Sequence, residues 1–335
     1  MRIHRYAVFA CVGALVLIAS AGVASPGTAA EPAESPVVVN VPIRLVQAPI
    51  TKALYGMTTI RIGDSKPIRV TVDTGSVGLR LLPGAWKTVP SGVIMTNRRI
   101  TWAADGEKLQ GRVGKGRFSI SGLSGEYPVD FMFMDQSKWT DSASAEGIQG
   151  VMGIGMSRQD LMNPLTSLAG NAGREWTVHY RPNAARTGGT GTLALGASVP
   201  VRTFTTFRPR SQGVNGENVP LWDDQAARGC WKVGSLSEVC GGTYFDSMAP
   251  FMLIKGSAFA RVPVEKSGFA KSGTPISFAA PGTGFYAWNF NAGERFGLNR
   301  AKVSGTGKTL VNTSSAIYSA FTVAYSVRLG IVTLS

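Results

Sequence analysis

The sequence predicts a mostly β protein built as two related lobes with a cleft between them, and three observations carry that prediction. Gly and Pro number 41 and 18 in 335 residues while only 16% of side chains are charged, the composition of a globule with many turns and short strands. Short stretches alternate apolar and polar side chains with the two-residue period of a half-buried strand, most clearly in Ile68-Arg69-Val70-Thr71-Val72. Finally, a segment of the first half recurs in the second. Setting Asp73 on Asp246 places Val72 on Phe245, Thr74 on Ser247, Leu79 on Met252, Leu81 on Ile254, Ala85 on Ala258 and Trp86 on Phe259.

The elements follow in order. The first thirty residues read as an export leader: Arg2, His4 and Arg5, an apolar run over 7–23, then small residues to Ala30. Cleavage is expected between Ala21 and Ala30, with an uncleaved anchor as the alternative because the run approaches spanning length. Residues 37–46 and 55–62 read as strands, the second ending in the turn Gly63-Asp64-Ser65. The strand over 68–72 runs straight into Asp73-Thr74-Gly75-Ser76. Further β runs are 118–120, 129–133, 151–154, 176–180 and 191–196, and the best helical pattern is short, over 164–169. The chain is expected to divide into a signal peptide (1–30), an N-terminal lobe (31–198) and a C-terminal lobe (199–335).

Charge and scarce residue types narrow the chemistry. Lys and Arg number 34 against 20 Asp and Glu, a formal net charge of +14, and the excess persists without Arg2 and Arg5. The basic residues are scattered, with neither a dense cluster nor an aromatic-basic motif, so no nucleic-acid partner is expected. Attraction to an anionic cell-envelope surface or to acidic substrates is the milder inference. The chain holds two His (His4 and His179) and three Cys (Cys11, Cys230 and Cys240), too few for a zinc site. No metal and no cofactor are expected. His179 lies in a strand-like run and reads as structural, which removes support for a Ser/His/Asp hydrolase. Export permits oxidation, and Cys230 and Cys240 flank a turn at 234–238, so a disulfide across a hairpin is expected. Gly305-Thr306-Gly307-Lys308-Thr309 looks like the end of a phosphate loop, but Lys302 occupies the required earlier Gly position.

Two lobes related by a pseudo-twofold axis would bring Asp73 and Asp246 together at the cleft. Two carboxyls a few ångströms apart cannot both ionise, so the pair holds one proton. The ionised member takes a proton from a water attacking an amide carbonyl, and the protonated member donates to the developing oxyanion. Such chemistry needs no metal and no nucleophilic side chain. Thr74 and Ser247 are expected to fix their loops through local hydroxyl-to-backbone bonds. Gly75 is expected to admit close approach of a neighbour.

Here the sequence resembles the pepsin-like (A1-type) aspartic peptidases over nearly all of the chain after the leader. Tyr55-Gly56 followed by an alternating strand and Val72-Asp73-Thr74-Gly75-Ser76 is similar to that family's approach to its first catalytic Asp. Ile100-Thr101-Trp102 lies where the family carries its flap hairpin, with Trp102 in place of the usual Tyr. Gly150-Val151-Met152-Gly153-Ile154-Gly155 resembles the hydrophobic-hydrophobic-Gly element behind the first loop, and the run at 191–196 resembles the strand closing the N-terminal lobe. Phe321-Thr322-Val323 and Leu329-Gly330-Ile331 are similar to terminal strands of the C-terminal lobe.

The resemblance implies an exported, monomeric aspartic endopeptidase that binds a polypeptide substrate or peptide-like ligand. Asp73 and Asp246 would be catalytic, Thr74, Gly75, Ser76 and Ser247 supporting, and Trp102 the flap residue. The short distance from the leader to Tyr55 leaves little room for an inhibitory pro-segment, which implies that the enzyme is not a conventional zymogen. Three departures stand against this reading. Met248 replaces the second-loop Gly and is expected to misplace or screen Asp246; 312–315 lacks a clear Gly; and Trp102 removes the flap hydroxyl, although its indole N–H still donates. They motivate an alternative, a catalytically impaired pseudo-peptidase whose cleft binds a peptide, polysaccharide or protein.

Overall fold

The computed structural model describes residues 37–49, 51–104, 107–135, 147–197, 203–283, 285–293 and 300–335. The expected leader (1–30) and the expected lobe boundary at 198/199 lie outside the described residues.

The internal repeat is realised as matching strand order. Ile68–Asp73 pairs in parallel with Gly150–Ile154, which runs antiparallel to Val77–Leu81, itself parallel to Leu123–Met134. In the second half Val239–Tyr244 pairs in parallel with Leu310–Asn312, which runs antiparallel to Met252–Lys255, itself parallel to Ala301–Ser304. Register makes the equivalence residue by residue. Val151 lies opposite Thr71 and Arg80, and Asn312 opposite Tyr244 and Leu253. Asn312-Thr313-Ser314 therefore occupies the place of Val151-Met152-Gly153. In each lobe the Asp loop leaves the first of these strands and returns as the third, so both Asp emerge from the same kind of crossing.

The strands among the described residues form a 13-stranded and a 7-stranded sheet, with one separate hairpin. Next to the runs 321–323 and 329–331, which resemble terminal strands, Val323–Ser326 and Ile331–Leu334 join the large sheet, where Val323 lies opposite Val178 of Glu175–Pro182. Every residue of both strands is buried. Strands covered on both faces need a layer on either side.

The expected helix over 164–169 is a single 3-10 turn, Pro164–Ser167, capped by Asn163, whose side chain accepts from the Leu165 amide. His179 lies on Glu175–Pro182 with Nδ1 3.3 Å from the Phe321 carbonyl, a structural placement. Trp176 and Trp231 are buried in the core. Cys230 and Cys240 face each other in register across Ala227–Val233 and Val239–Tyr244 and are joined by a disulfide. A long hairpin, Val93–Ala104 with Glu107–Ile120, carries Trp102 opposite Leu109.

Candidate active site

Asp73 ends a strand whose residues after Arg69 are all buried, and Thr74-Gly75-Ser76 turns the chain back into Val77–Leu81. Its carboxylate is buried, so each oxygen needs a donor. Oδ1 accepts the Gly75 amide at 2.8 Å, and Oδ2 lies 2.5 Å from the Ser76 hydroxyl. Asp246 follows the equivalent strand after Phe245. Its Oδ1 accepts the amides of Met248 and Ala249, both at 3.0 Å, and its Oδ2 accepts the Asn312 side-chain amide at 2.8 Å. Ala249 stands at the place of Ser76 and has no hydroxyl, so Asn312 supplies the second donor from the neighbouring strand.

The two loops lock together through their hydroxyl residues. Thr74 N–H donates to Ser247 Oγ at 3.0 Å, and Ser247 N–H donates to Thr74 Oγ1 at 2.9 Å. Ser247 Oγ donates onward to the Val72 carbonyl at 2.8 Å, and Thr74 Oγ1 to the Phe245 carbonyl at 2.9 Å. The expected loop-fixing bonds therefore run between the lobes and not locally. That arrangement satisfies backbone groups of both loops at once, where a local bond would serve one. Because the Thr74 hydroxyl hydrogen is spent on Phe245, the phenol of Tyr318, 2.6 Å away, must donate to it. Tyr325, 2.6 Å from Tyr318, then donates in turn. Burial pushes the Tyr318 phenol well above its ordinary range, which keeps this donor neutral.

Gly75 explains how the loops come so near. A Cβ built on it would sit 2.4 Å from Cγ of Asp246, closer than any side chain tolerates. The neighbour that Gly75 admits is thus the second carboxyl itself. Burial, and then the charge of Asp73, push the Asp246 carboxyl above the usual carboxylate range, against the opposing bonds from Asn312 and the two amides. The pair suits a single shared proton.

Both Asp line a cavity of about 690 Å³ with Arg80, Trp102, Tyr244 and Met248. The Met248 amide donates to Asp246 as the Gly75 amide donates to Asp73. Its side chain joins an apolar cluster with Leu82, Leu109, Met132 and Leu161, against which Ile100 and Trp102 of the hairpin pack. A flexible thioether fills such a gap readily. Asp246 keeps its three donors beside Met248, which forms part of the cavity wall.

The comparisons give one clear result. No protein-family model matches the sequence, and no curated protein matches it. In structure, the chain is similar to the aspartic proteinase from Irpex lacteus, with a TM-score of 0.60 and 13% identity over 89% of this chain and 97% of that one. The fold is that of the pepsin-like aspartic proteinases. At this identity the likeness is one of architecture. In this pepsin-like fold the seven residues singled out as site residues lie in or beside the central cavity: Asp73, Thr74, Gly75, Ser76, Trp102, Asp246 and Ser247.

Four further residues of the site were not foreseen. Arg80 is buried beneath Trp102, an Arg inside the otherwise apolar run Val77–Leu81, and that break in pattern was the available signal. Asn312 marks itself only once strand register is known. Tyr318 gives no local sequence signal. Asp224, 4% exposed, accepts the Met156 amide at 2.7 Å through Oδ2 while its Oδ1 is buried without a partner, and burial raises its carboxyl to about 7. It sits against Gly155, whose amide bonds the Ser76 carbonyl at 2.9 Å, and so lies directly behind the first Asp loop.

Proposed function

We propose that the protein is an exported aspartic-type endopeptidase that hydrolyses peptide bonds with a water activated between Asp73 and Asp246. The carrying observation is the closeness of the two carboxyls, with Asp246 packed against the Gly75 backbone and each carboxyl held by its own donors. Asp73, with a hydroxyl and an amide donor, is suited to the ionised form that takes the water proton. Asp246, pushed upward by burial and by its partner, is suited to carry the proton given to the carbonyl oxygen. Trp102 on the hairpin would close over an extended polypeptide, and Thr74 and Ser247 would hold the two loops in register. A monomer released from a leader over residues 1–30, acting on polypeptides at or beyond an anionic envelope surface, fits the basic charge and the disulfide.

One observation favours a second reading, in which the cleft binds a peptide, polysaccharide or protein without cutting it. Met248 narrows the cavity where a Gly would leave room. A single experiment separates the two. The chain beginning near Glu31 is incubated with a mixed peptide pool from acidic to neutral pH and the products are read by mass spectrometry. Peptidase action predicts new termini that a statine-type inhibitor suppresses. Retention of peptides without cleavage, by folded protein at every pH, would establish the binding reading instead.

A further inference from the structure

Arg80 is a charged side chain where the fold calls for an apolar one. It lies in Val77–Leu81, a strand buried at every residue, and is itself 3% exposed. Its counterpart in the second lobe, by the repeat and by register, is Leu253. Burying a guanidinium is costly unless its donors are used, and here most are. Nη1 donates to the Gly78 carbonyl at 3.0 Å and to Ser76 Oγ at 3.3 Å. Nη2 donates to the Val77 carbonyl at 3.0 Å and to Gln159 Oε1 at 3.2 Å, while Nε is buried without a partner.

Two of its neighbours belong to the site. Ser76 accepts from Arg80 and, through the same oxygen, lies 2.5 Å from Asp73 Oδ2. A donor acting on a hydroxyl oxygen makes that hydroxyl a stronger donor in turn, so the positive charge is relayed to Asp73. On its other side, the guanidinium carbon lies 4.3 Å from the ring centre of Trp102 on the flap hairpin, in cation–π range. The charged or ionisable groups around it are Asp73 on its own loop, Asp160 after the Gly150–Ile154 strand and Tyr244 from the second lobe; Arg158 and Asp246 line the same cavity.

We propose that Arg80 is a positioning residue that holds the negative charge of the pair on Asp73 and ties the flap, through Trp102, to that ionised state. The inference rests on the peptidase reading and deepens it. It fixes which Asp acts as base, and it makes hairpin placement and dyad charge depend on one side chain.

The test compares Arg80→Gln, Ser76→Ala and Trp102→Leu with the parent chain. Arg80→Gln is expected to move the acid limb of the kcat/KM profile upward by about one pH unit, and to raise KM. Ser76→Ala removes the relay while leaving Arg80 in place and should move the limb in the same direction, which keeps the test available if Arg80→Gln does not fold. Trp102→Leu should raise KM with the acid limb unmoved. In parallel, 13C-carboxyl NMR follows Asp73 without any substrate. A folded Arg80→Gln chain with the Asp73 titration and acid limb of the parent would overturn the proposal. If the parent cleaves nothing but Arg80→Gln still shifts the Asp73 titration, the peptidase reading fails and the role of Arg80 stands.

Discussion

The two Asp loops occupy equivalent places in the fold yet solve the same problem with different chemistry. The first uses Gly75 and Ser76, a backbone without a side chain and a hydroxyl, and adds the buried charge of Arg80. The second has Met248, Ala249 and Leu253 in those three places and draws its side-chain donor from Asn312, on the strand beside the loop. What the loop must provide is a pair of donors to each carboxylate and enough room for the other carboxyl. Residue identity at any one position is secondary. Gly is indispensable at position 75, because the opposite carboxyl lies against the backbone there. In the second, the Met248 side chain joins an apolar cluster against which Ile100 and Trp102 of the hairpin pack, and also lines the cavity.

The largest effect should come from erasing that difference. Gly75→Ala puts a methyl 2.4 Å from Cγ of Asp246 and is expected to abolish cleavage in a chain whose circular dichroism is otherwise native. Next comes the borrowed donor. Asn312→Ala leaves Oδ2 of Asp246 a buried acceptor without its donor, at a cost of about 1–3 kcal/mol, so kcat should fall by roughly 5- to 150-fold. Ala249→Ser in that background should recover part of the loss, measured by steady-state kinetics, because it returns a hydroxyl to the place Ser76 fills in the first lobe.

Smaller, and read in stability alone, is Asp224 behind the first loop. Its carboxyl titrates near 7 when folded against 3.8 when unfolded. Between those values the folded chain keeps a proton that the unfolded chain has released, so stability falls as pH rises through that window and is flat outside it. Asp224→Asn should melt at a higher temperature than the parent near neutral pH, with the two curves converging at about pH 4; equal melting temperatures at neutral pH would refute the assignment. The smallest effect belongs to Met248→Gly. Since the Met248 amide already performs the loop's task, kcat should change by less than about threefold, a difference of well under 1 kcal/mol, with the change concentrated in KM.

Much of this was legible in the sequence because it is carried by local pattern. The alternating strand into Asp73, the recurrence at Asp246 and the Cys pair around a turn each depend on residues near one another in the chain, and the structure places them as read. The misreadings share a cause, which is that pairing partners are distant in sequence. The last two strands look like any apolar strands, and only register against Glu175–Pro182 assigns them to the large sheet. Thr74 and Ser247 were recognised as hydroxyl anchors, but that they anchor each other requires two loops far apart in the chain to meet. For Met248 the sequence shows the substitution but not the apolar cluster that its side chain joins. Asn312 looked like a lost glycine element, whereas its register makes it the missing donor.

On the peptidase reading, Asp246 is an equal partner of Asp73 despite the substitutions in the second loop. The most direct measurement is the cleavage rate of a single peptide substrate by the parent, Asp73→Asn and Asp246→Asn chains, each shown to be folded by its melting transition. Either substitution is expected to remove activity to the limit of detection. Activity surviving in Asp246→Asn while Asp73→Asn is dead would contradict it.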